Sequence, residues 1–255
     1  MIKAPLLLLL LLTMCSAPQQ PNFRECPCTH TDPEKRLYSQ VLNELIEQRF
    51  YGSYLPDSAR ELIFQELNKQ FSPDSFNERD TALAKRYERV KKSLEASQQN
   101  RLFNDSAKFK TFYLDTDSSR RVLSFVSLKP EDPLIDSVFL RHYVKLNAII
   151  AQVTPSEKQI TATQLSMLQQ NISAPNFQLC TAKIASQPAP SSKRPWSREL
   201  GTVRFSKIVF NATKTKAVVR YDWICGGKCG FAEVLLVEKI NSNWHIKQAE
   251  MLWIA

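Results

Sequence analysis

The stretch that decides the fold comprises residues 203–254, VRFSKIVFNATKTKAVVRYDWICGGKCGFAEVLLVEKINSNWHIKQAEMLWI. Apolar and polar residues alternate through four runs, at 203–210, 216–224, 231–240 and 244–254, and each gap between runs contains residues that favour turns. This pattern predicts three consecutive hairpins, which together form a four-stranded antiparallel meander. Such a sheet has an apolar face to bury, so it needs helices or a second sheet to cover it.

Two cysteines flank the glycine-rich loop between the second and third runs, where residues 225–229 read CGGKC. Residues that face each other across an antiparallel pair lie about 4.5–5.5 Å apart, and this separation suits the Cα atoms of a disulfide. We therefore predict a disulfide between Cys225 and Cys229. A metal site and a redox-active pair remain as alternatives, although CxxxC supplies only two metal ligands and is not the CxxC spacing of redox proteins.

Six short segments follow one another in this part of the chain: FSKIVFN, TKAVV, CGGKCG, LLVEK, WHIK and MLWIA. In this order they resemble the C-terminal signature of a family of uncharacterised, mostly exported bacterial proteins and lipoproteins that end in an LWIS-like tail. The chain departs from that pattern at Ala255, where Ser is common. The resemblance implies a C-terminal meander in an exported protein, and it implies no catalytic residues.

The N-terminus has the pattern of an export signal. Lys3 is followed by an unbroken leucine run at 6–12, which is too short to span a membrane with about 20 residues. The run ends in LTMC, which resembles a lipobox, with Met14 where a small residue is usual. We predict a signal peptide at 1–15 and lipid attachment at Cys15, so that the protein is a lipoprotein facing the periplasm or the cell surface. The alternative is cleavage after Ala17 and a secreted soluble protein.

The chain contains 6 cysteines. An exported protein enters an oxidising compartment, where cysteine pairing is the usual outcome. Once Cys15 carries a lipid and the loop cysteines are paired, Cys26, Cys28 and Cys180 compete for one further bond. We predict one disulfide among these three residues and one free thiol.

The remaining segments predict an α+β fold in which N-terminal helices pack on an antiparallel sheet. Residues 16–31 are polar and proline-rich and are predicted to be a flexible tether. Residues 32–185 are predicted to be a helix-rich α+β region with a hairpin near 109–128. Residues 186–197, SQPAPSSKRPWS, are predicted to be a linker before the meander at 198–255.

Helical signals in the N-terminal region differ in strength. Asp32-Pro33-Glu34 combines a cap, a first-turn proline and an early carboxylate, and apolar residues follow on one face through Ile46. Further helices are predicted at 77–99, 132–150 and 161–170. Residues 60–68 fit a short helix or a buried strand equally well.

No motif in the sequence specifies a reaction: HExxH, GxSxG, the Walker loop and GxGxxG do not occur. His30 falls in the predicted tether, while His142 and His245 are weak candidates for lining a ligand pocket. We predict no metal site and no cofactor. The net charge of +9 is spread along the chain among acidic residues, so a solvated surface is expected and no nucleic-acid partner.

Two functions from different classes fit these observations, and we favour the first because no motif in the sequence specifies a reaction. The first is an exported, lipid-anchored envelope module without enzymatic activity, which binds an envelope protein partner or has a structural role. The second is a small-ligand-binding or hydrolytic α+β domain with its site in a cavity between sheet and helices. A deep pocket lined by His142 or His245 with a buried carboxylate would favour the second, and a filled core with a flat aromatic patch would favour the first.

Overall fold

The computed structural model describes residues 26–50, 54–71, 81–117, 137–186, 199–226 and 229–254. Within these ranges five α-helices and seven strands form an α+β fold, as predicted. The helices are α1 (Pro33–Gln48), α2 (Asp57–Gln70), α3 (Thr81–Phe103), α4 (Ser137–Ala151) and α5 (Lys158–Ser166). The strands are β1 (Thr111–Leu114), β2 (Lys183–Ser186), β3 (Glu199–Phe205), β4 (Val209–Phe210), β5 (Lys216–Gly226), β6 (Cys229–Ile240) and β7 (Asn243–Ile254).

The C-terminal strands form the predicted meander, because β3, β5, β6 and β7 are antiparallel neighbours in that order. Asn241 and Ser242 connect β6 to β7, and both have positive φ, 48° and 71°. This backbone is that of a two-residue type I′ turn, which matches the twist of the flanking strands. At the turn between β4 and β5, the Asn211 side chain accepts hydrogen bonds from the backbone N–H groups of Thr215 and Lys216.

The prediction of one continuous strand at 203–210 was wrong. The chain forms β3 and then the separate β4, and both pair with β5. Between them the backbone bonds to residues 167–169 instead: Leu168 bridges Ser206, and the N–H of Lys207 donates to the carbonyl of Met167. The strand is interrupted because a distant segment supplies these hydrogen bonds.

Two parallel strands extend the sheet beyond the meander. The strand order is β2-β1-β3-β5-β6-β7, and β1 pairs in parallel with both β2 and β3. The predicted first arm of a hairpin near 109–128 corresponds to β1, but both edges of β1 are occupied by the parallel strands β2 and β3, so β1 is not the arm of a hairpin. The predicted second arm, 122–128, lies outside the described residues. The sheet is therefore mixed, with its antiparallel part at the C-terminus.

Gly201 lies at the register shift between β1 and β3. Its φ is +103°, and a Cβ atom added there would overlap the backbone carbonyl of Ile224 on β5. Only glycine adopts this backbone without strain. The residue thus allows three strands to approach each other closely.

Helix α1 covers one face of the sheet, as expected from its apolar stripe. The Asp32 carboxylate accepts hydrogen bonds from the N–H groups of Glu34 and Lys35 and so caps the helix. The inward side chains are almost fully buried against alternate residues of β5 and β6. They are Leu37, Tyr38, Val41, Leu42, Leu45 and Ile46 on the helix, facing Tyr221, Leu235 and Val237 on the sheet.

Helices α4 and α5 cover the opposite face. Ile149, Ile150 and Leu165 pack in a second apolar cluster with Val218, Val234 and Leu236, which alternate along the strands with the residues that face α1. The predicted start of α4, at 132, lies outside the described residues. Helix α5 ends at Ser166, short of the predicted 170, because residues 167–169 bond to the segment between β3 and β4.

The open question at 60–68 is settled in favour of a helix, α2. Ala59, Ile63 and Leu67 are buried at intervals of four residues and pack on α3 in a third, smaller cluster that includes Leu83, Tyr87, Val90 and Leu94. Helix α3 continues to Phe103, four residues beyond its predicted end. Among the described helices, none is long and apolar enough to cross a membrane.

Candidate functional site

A concave site lies between α4 and β7 in the described part of the chain, and we call it the α4–β7 cleft. Its volume is about 210 Å³. It is lined by three residues of α4 and four of β7: His142, Tyr143, Leu146, Met251, Leu252, Trp253 and Ile254. The helical residues lie at spacings of one, three and four and so face the strand together. Apart from the His142 ring and the Tyr143 hydroxyl, these side chains offer a predominantly apolar surface to a ligand.

A histidine–carboxylate pair lies at the polar end of this cleft. Nδ1 of His142 is 2.6 Å from Oε1 of Glu250, and the Glu250 side chain is only 8% exposed, against 43% for His142. Glu250 stands opposite Val234 on β6, on the sheet face that α4 covers. The second carboxylate oxygen of Glu250, Oε2, lies 3.9 Å from Nζ of Lys145. The sheet thus presents a buried carboxylate to two basic side chains of one helix.

The pair fixes how the histidine can act. A carboxylate at Nδ1 accepts the ring proton on that nitrogen, so the other nitrogen, Nε2, carries the lone pair of a neutral ring. Such a ring can accept a hydrogen bond or a proton from a group bound in the cleft. The arrangement therefore provides an oriented acceptor at the edge of an apolar cavity.

His245, the second pocket candidate, lies elsewhere. Its Nδ1 is 3.5 Å from Oε2 of Glu44 on α1, and His245 is not among the described residues that line the α4–β7 cleft. Both oxygens of Glu44 accept the N–H of Ile246 at 3.1 Å, where the register of β6 and β7 shifts. Burial raises the pKa of Glu44 to about 7 and lowers the pKa of His245. This pair serves a strand irregularity inside the core, and the structure does not bring it together with His142.

Sequence reasoning missed a row of buried charges on the α4 side of the sheet. Arg204 contacts Oδ2 of Asp115 at 2.7 Å, and Arg220 contacts Oδ1 of Asp222 at the same distance. Burial raises the pKa of Asp222, although Arg220 opposes this shift. The signal was present in the strands, where charged residues occupy alternate positions between apolar ones. The Arg204–Asp115 pair connects β3 to the residue that follows β1, whereas Arg220 and Asp222 both lie on β5.

A second buried polar contact lies on the α1 side. The Tyr221 hydroxyl donates to Oε2 of Glu233 at 2.5 Å, and Arg49 lies 3.8 Å from the other oxygen of Glu233. Burial, followed by the neighbouring carboxylate, raises the pKa of Tyr221. The hydroxyl stays protonated and holds β5 to β6, which is a structural role.

The cysteines form two disulfides, Cys225–Cys229 and Cys26–Cys180, with Cα atoms 5.1 and 5.6 Å apart. The open choice among three cysteines is thus resolved, and Cys28 keeps a free, half-buried thiol. Two disulfides are consistent with an exported, non-cytoplasmic protein. Cys15 and the predicted signal peptide at 1–15 lie outside the described residues.

The described end of the predicted tether is fastened to the fold. Residues 26–31 have no regular secondary structure, yet Cys26 is bonded to Cys180, and Thr29 exchanges two hydrogen bonds with the side chain of Gln178. Residues 16–25 of the tether and 187–198 of the linker region lie outside the described residues.

Among the residues that the structure describes, no three His, Cys, Asp or Glu side chains are placed to hold a metal ion together. In comparisons with protein-family models, with curated proteins and with solved structures, no match to this chain was found. The resemblance of the C-terminal segments to an exported bacterial family accordingly stays a prediction, and the cleft is interpreted from its geometry alone.

Proposed function

We propose that this chain is an exported protein of the cell envelope, anchored through a lipid on Cys15, whose folded part binds a small ligand in the α4–β7 cleft without converting it. The observation that carries the binding role is the buried Glu250 carboxylate, which holds the His142 ring at the edge of an apolar cleft. A cleft with an oriented polar group supports ligand binding over a purely structural role.

Stability alone is a weak reason for such a pair. The contact contributes little net stability compared with apolar residues of similar volume, because removing the Glu250 carboxylate from water costs several kcal/mol. His142 is half-exposed and lines the cleft, so its side chain is accessible to a ligand there. An oriented polar group beside apolar walls is the usual composition of small-molecule sites.

A hydrolytic role is the second candidate, because a histidine oriented by a carboxylate is the base of serine and cysteine hydrolases. Among the described residues that line the cleft there is no Ser, Thr or Cys to act as the nucleophile. Activation of water by His142 would be the remaining route. We expect no difference between wild type and His142→Phe in the release of nitrophenol from a p-nitrophenyl ester, and a difference would favour the hydrolytic candidate.

The predicted signal peptide at 1–15 and the paired cysteines support export and lipid anchoring. Disulfides persist in oxidising compartments, and one of these joins residues 154 positions apart. The experiment compares wild type with Cys15→Ser by Triton X-114 partition and palmitate labelling. We expect wild type to enter the detergent phase and carry label, while the variant remains in the aqueous phase without label. Equal partition of the two proteins would overturn the anchor.

A pull-down from solubilised envelopes, with wild type and Cys15→Ser as baits, addresses the predicted protein partner. If the anchor only localises the protein, both baits should retain the same partner after solubilisation. A partner that is captured by both baits but lost in His142→Phe would place protein binding, instead of small-ligand binding, at the cleft.

A further inference from the structure

We infer that the ligand of the α4–β7 cleft is a small, neutral, mainly apolar molecule with one hydroxyl group, such as a phenol or a short alcohol, and that this hydroxyl donates to Nε2 of His142. The inference rests on the proposed binding function and adds the chemical class of the ligand. It follows from the size of the cleft, from the direction of its polar group and from the balance of charge around Glu250.

The size and lining of the cleft determine how large the apolar part of the ligand is and what kind of group it contains. At about 210 Å³, the cleft lies below the roughly 300–1,000 Å³ of sites that enclose drug-sized molecules. It suits one ring or a short chain. Leu146, Leu252 and Trp253 form apolar walls, and an indole face favours an aromatic ligand in an offset or edge-on contact.

The hydrogen bond at Nδ1 of His142 determines which polar group the ligand carries. The 2.6 Å contact with Oε1 of Glu250 places a proton on Nδ1, so Nε2 is the remaining polar atom of the ring and is an acceptor in the neutral state. An acceptor that lines an apolar cavity needs a donor, because an unpaired polar group loses its bonds to water when a ligand displaces that water. A hydroxyl supplies this donor, whereas an ether or a ketone does not.

The charges around the His142–Glu250 pair determine which net charge of the ligand the cleft favours. Glu250 carries one negative charge, and Lys145, with Nζ 3.9 Å from Oε2, balances it. At a pH where the His142 ring is neutral, the charges of Glu250 and Lys145 offset each other, so this described pair gives no surplus positive charge for a carboxylate and no surplus negative charge for an ammonium group. A neutral ligand is the complement of this site.

The test uses probes with the same ring and methyl group and different polar ends: p-cresol, toluene, 4-methylanisole and p-toluate. Binding is followed by NMR through the Met251 methyl and the Trp253 indole N–H, both in the cleft. A hydrogen bond of about 1.4 kcal/mol corresponds to a tenfold change in affinity. We expect p-cresol to bind about tenfold more tightly than toluene and 4-methylanisole, and p-toluate to bind no better than toluene.

Variants then connect the preference to the residue. His142→Phe keeps an apolar ring but removes the acceptor, so the preference for p-cresol over toluene should disappear while toluene still binds. His245→Phe is the matched control: it makes the same substitution at a histidine that contacts Glu44 of α1 and is not among the described residues that line the cleft, so the preference for p-cresol should stay. If His142→Phe does not fold, the affinities of wild type for p-cresol, toluene and p-toluate still test the inference.

Several results would overturn the inference: equal affinity for p-cresol and toluene in wild type, tighter binding of p-toluate, a preference that survives His142→Phe, or shifts that map away from the cleft. These failures are distinguishable from failure of the proposed function. A protein that is lipidated and partitions with membranes but prefers another probe would keep its envelope role and lose only this ligand class. A protein that lacks the anchor would lose the envelope role whatever the titration shows.

Discussion

The two disulfides close loops of very different length, and this difference predicts unequal contributions to stability. Cys26 and Cys180 are 154 positions apart, whereas Cys225 and Cys229 are 4 apart. If a disulfide acts by restricting the unfolded chain, its effect grows with the logarithm of loop length. The relation gives about 5 kcal/mol for the long loop and about 2 kcal/mol for the short one. Replacing the long-range pair by alanines should therefore cost more than twice as much as replacing the hairpin pair.

Urea unfolding followed by tryptophan fluorescence measures the two costs. With an m value of about 2–3 kcal/mol/M, loss of the long-range disulfide lowers the midpoint by about 2 M, and loss of the hairpin disulfide lowers it by less than about 1 M. The matched variants are Cys26→Ala/Cys180→Ala and Cys225→Ala/Cys229→Ala, each without a new free thiol. Equal midpoints, or a larger loss in the hairpin variant, would refute the reasoning from loop length.

Two further predictions concern single positions. Burial raises the pKa of Glu44 to about 7 from 4.5, so the folded state binds more protons than the unfolded state between these pH values. The free energy of unfolding should therefore fall by about 3 kcal/mol as pH rises from 4.5 to 7. Glu44→Gln should flatten this part of the stability profile, and a profile parallel to that of wild type would contradict the assignment. Gly201→Ala places a Cβ against the Ile224 carbonyl at a positive φ and should cost at least about 2 kcal/mol. Gly226→Ala is its control, since a Cβ there meets only the Cys229 side chain at 3.9 Å, and equal midpoints for these two variants would argue against a close approach at Gly201.

Local chemistry explains which elements the sequence predicted. The Asp32 cap, the apolar stripe of α1 and the alternation in β5, β6 and β7 depend on neighbours within a few residues, so they can be read from one stretch. The turn at Asn241 is encoded equally locally. These elements account for the meander and for the helix that covers it.

Long-range pairing explains what the sequence did not predict. Strands β1 and β2 have four residues each, too few for a periodic signal, and they are defined by parallel neighbours far away in the chain. The break after Phe205 depends on residues 167–169 in the same way. His142 was recognised as a weak candidate, but its partner Glu250 lies 108 positions away, and no spacing rule connects them.

The central claim is that Glu250 orients His142 so that Nε2 accepts a hydrogen bond from a ligand in the cleft. The most direct test is a ¹⁵N NMR measurement of the two His142 ring nitrogens at mildly alkaline pH, with and without p-cresol. We predict a protonated Nδ1 and an unprotonated Nε2 whose signal moves when p-cresol is added. A proton on Nε2 in the free protein, or an Nε2 signal that p-cresol does not move, would contradict the account.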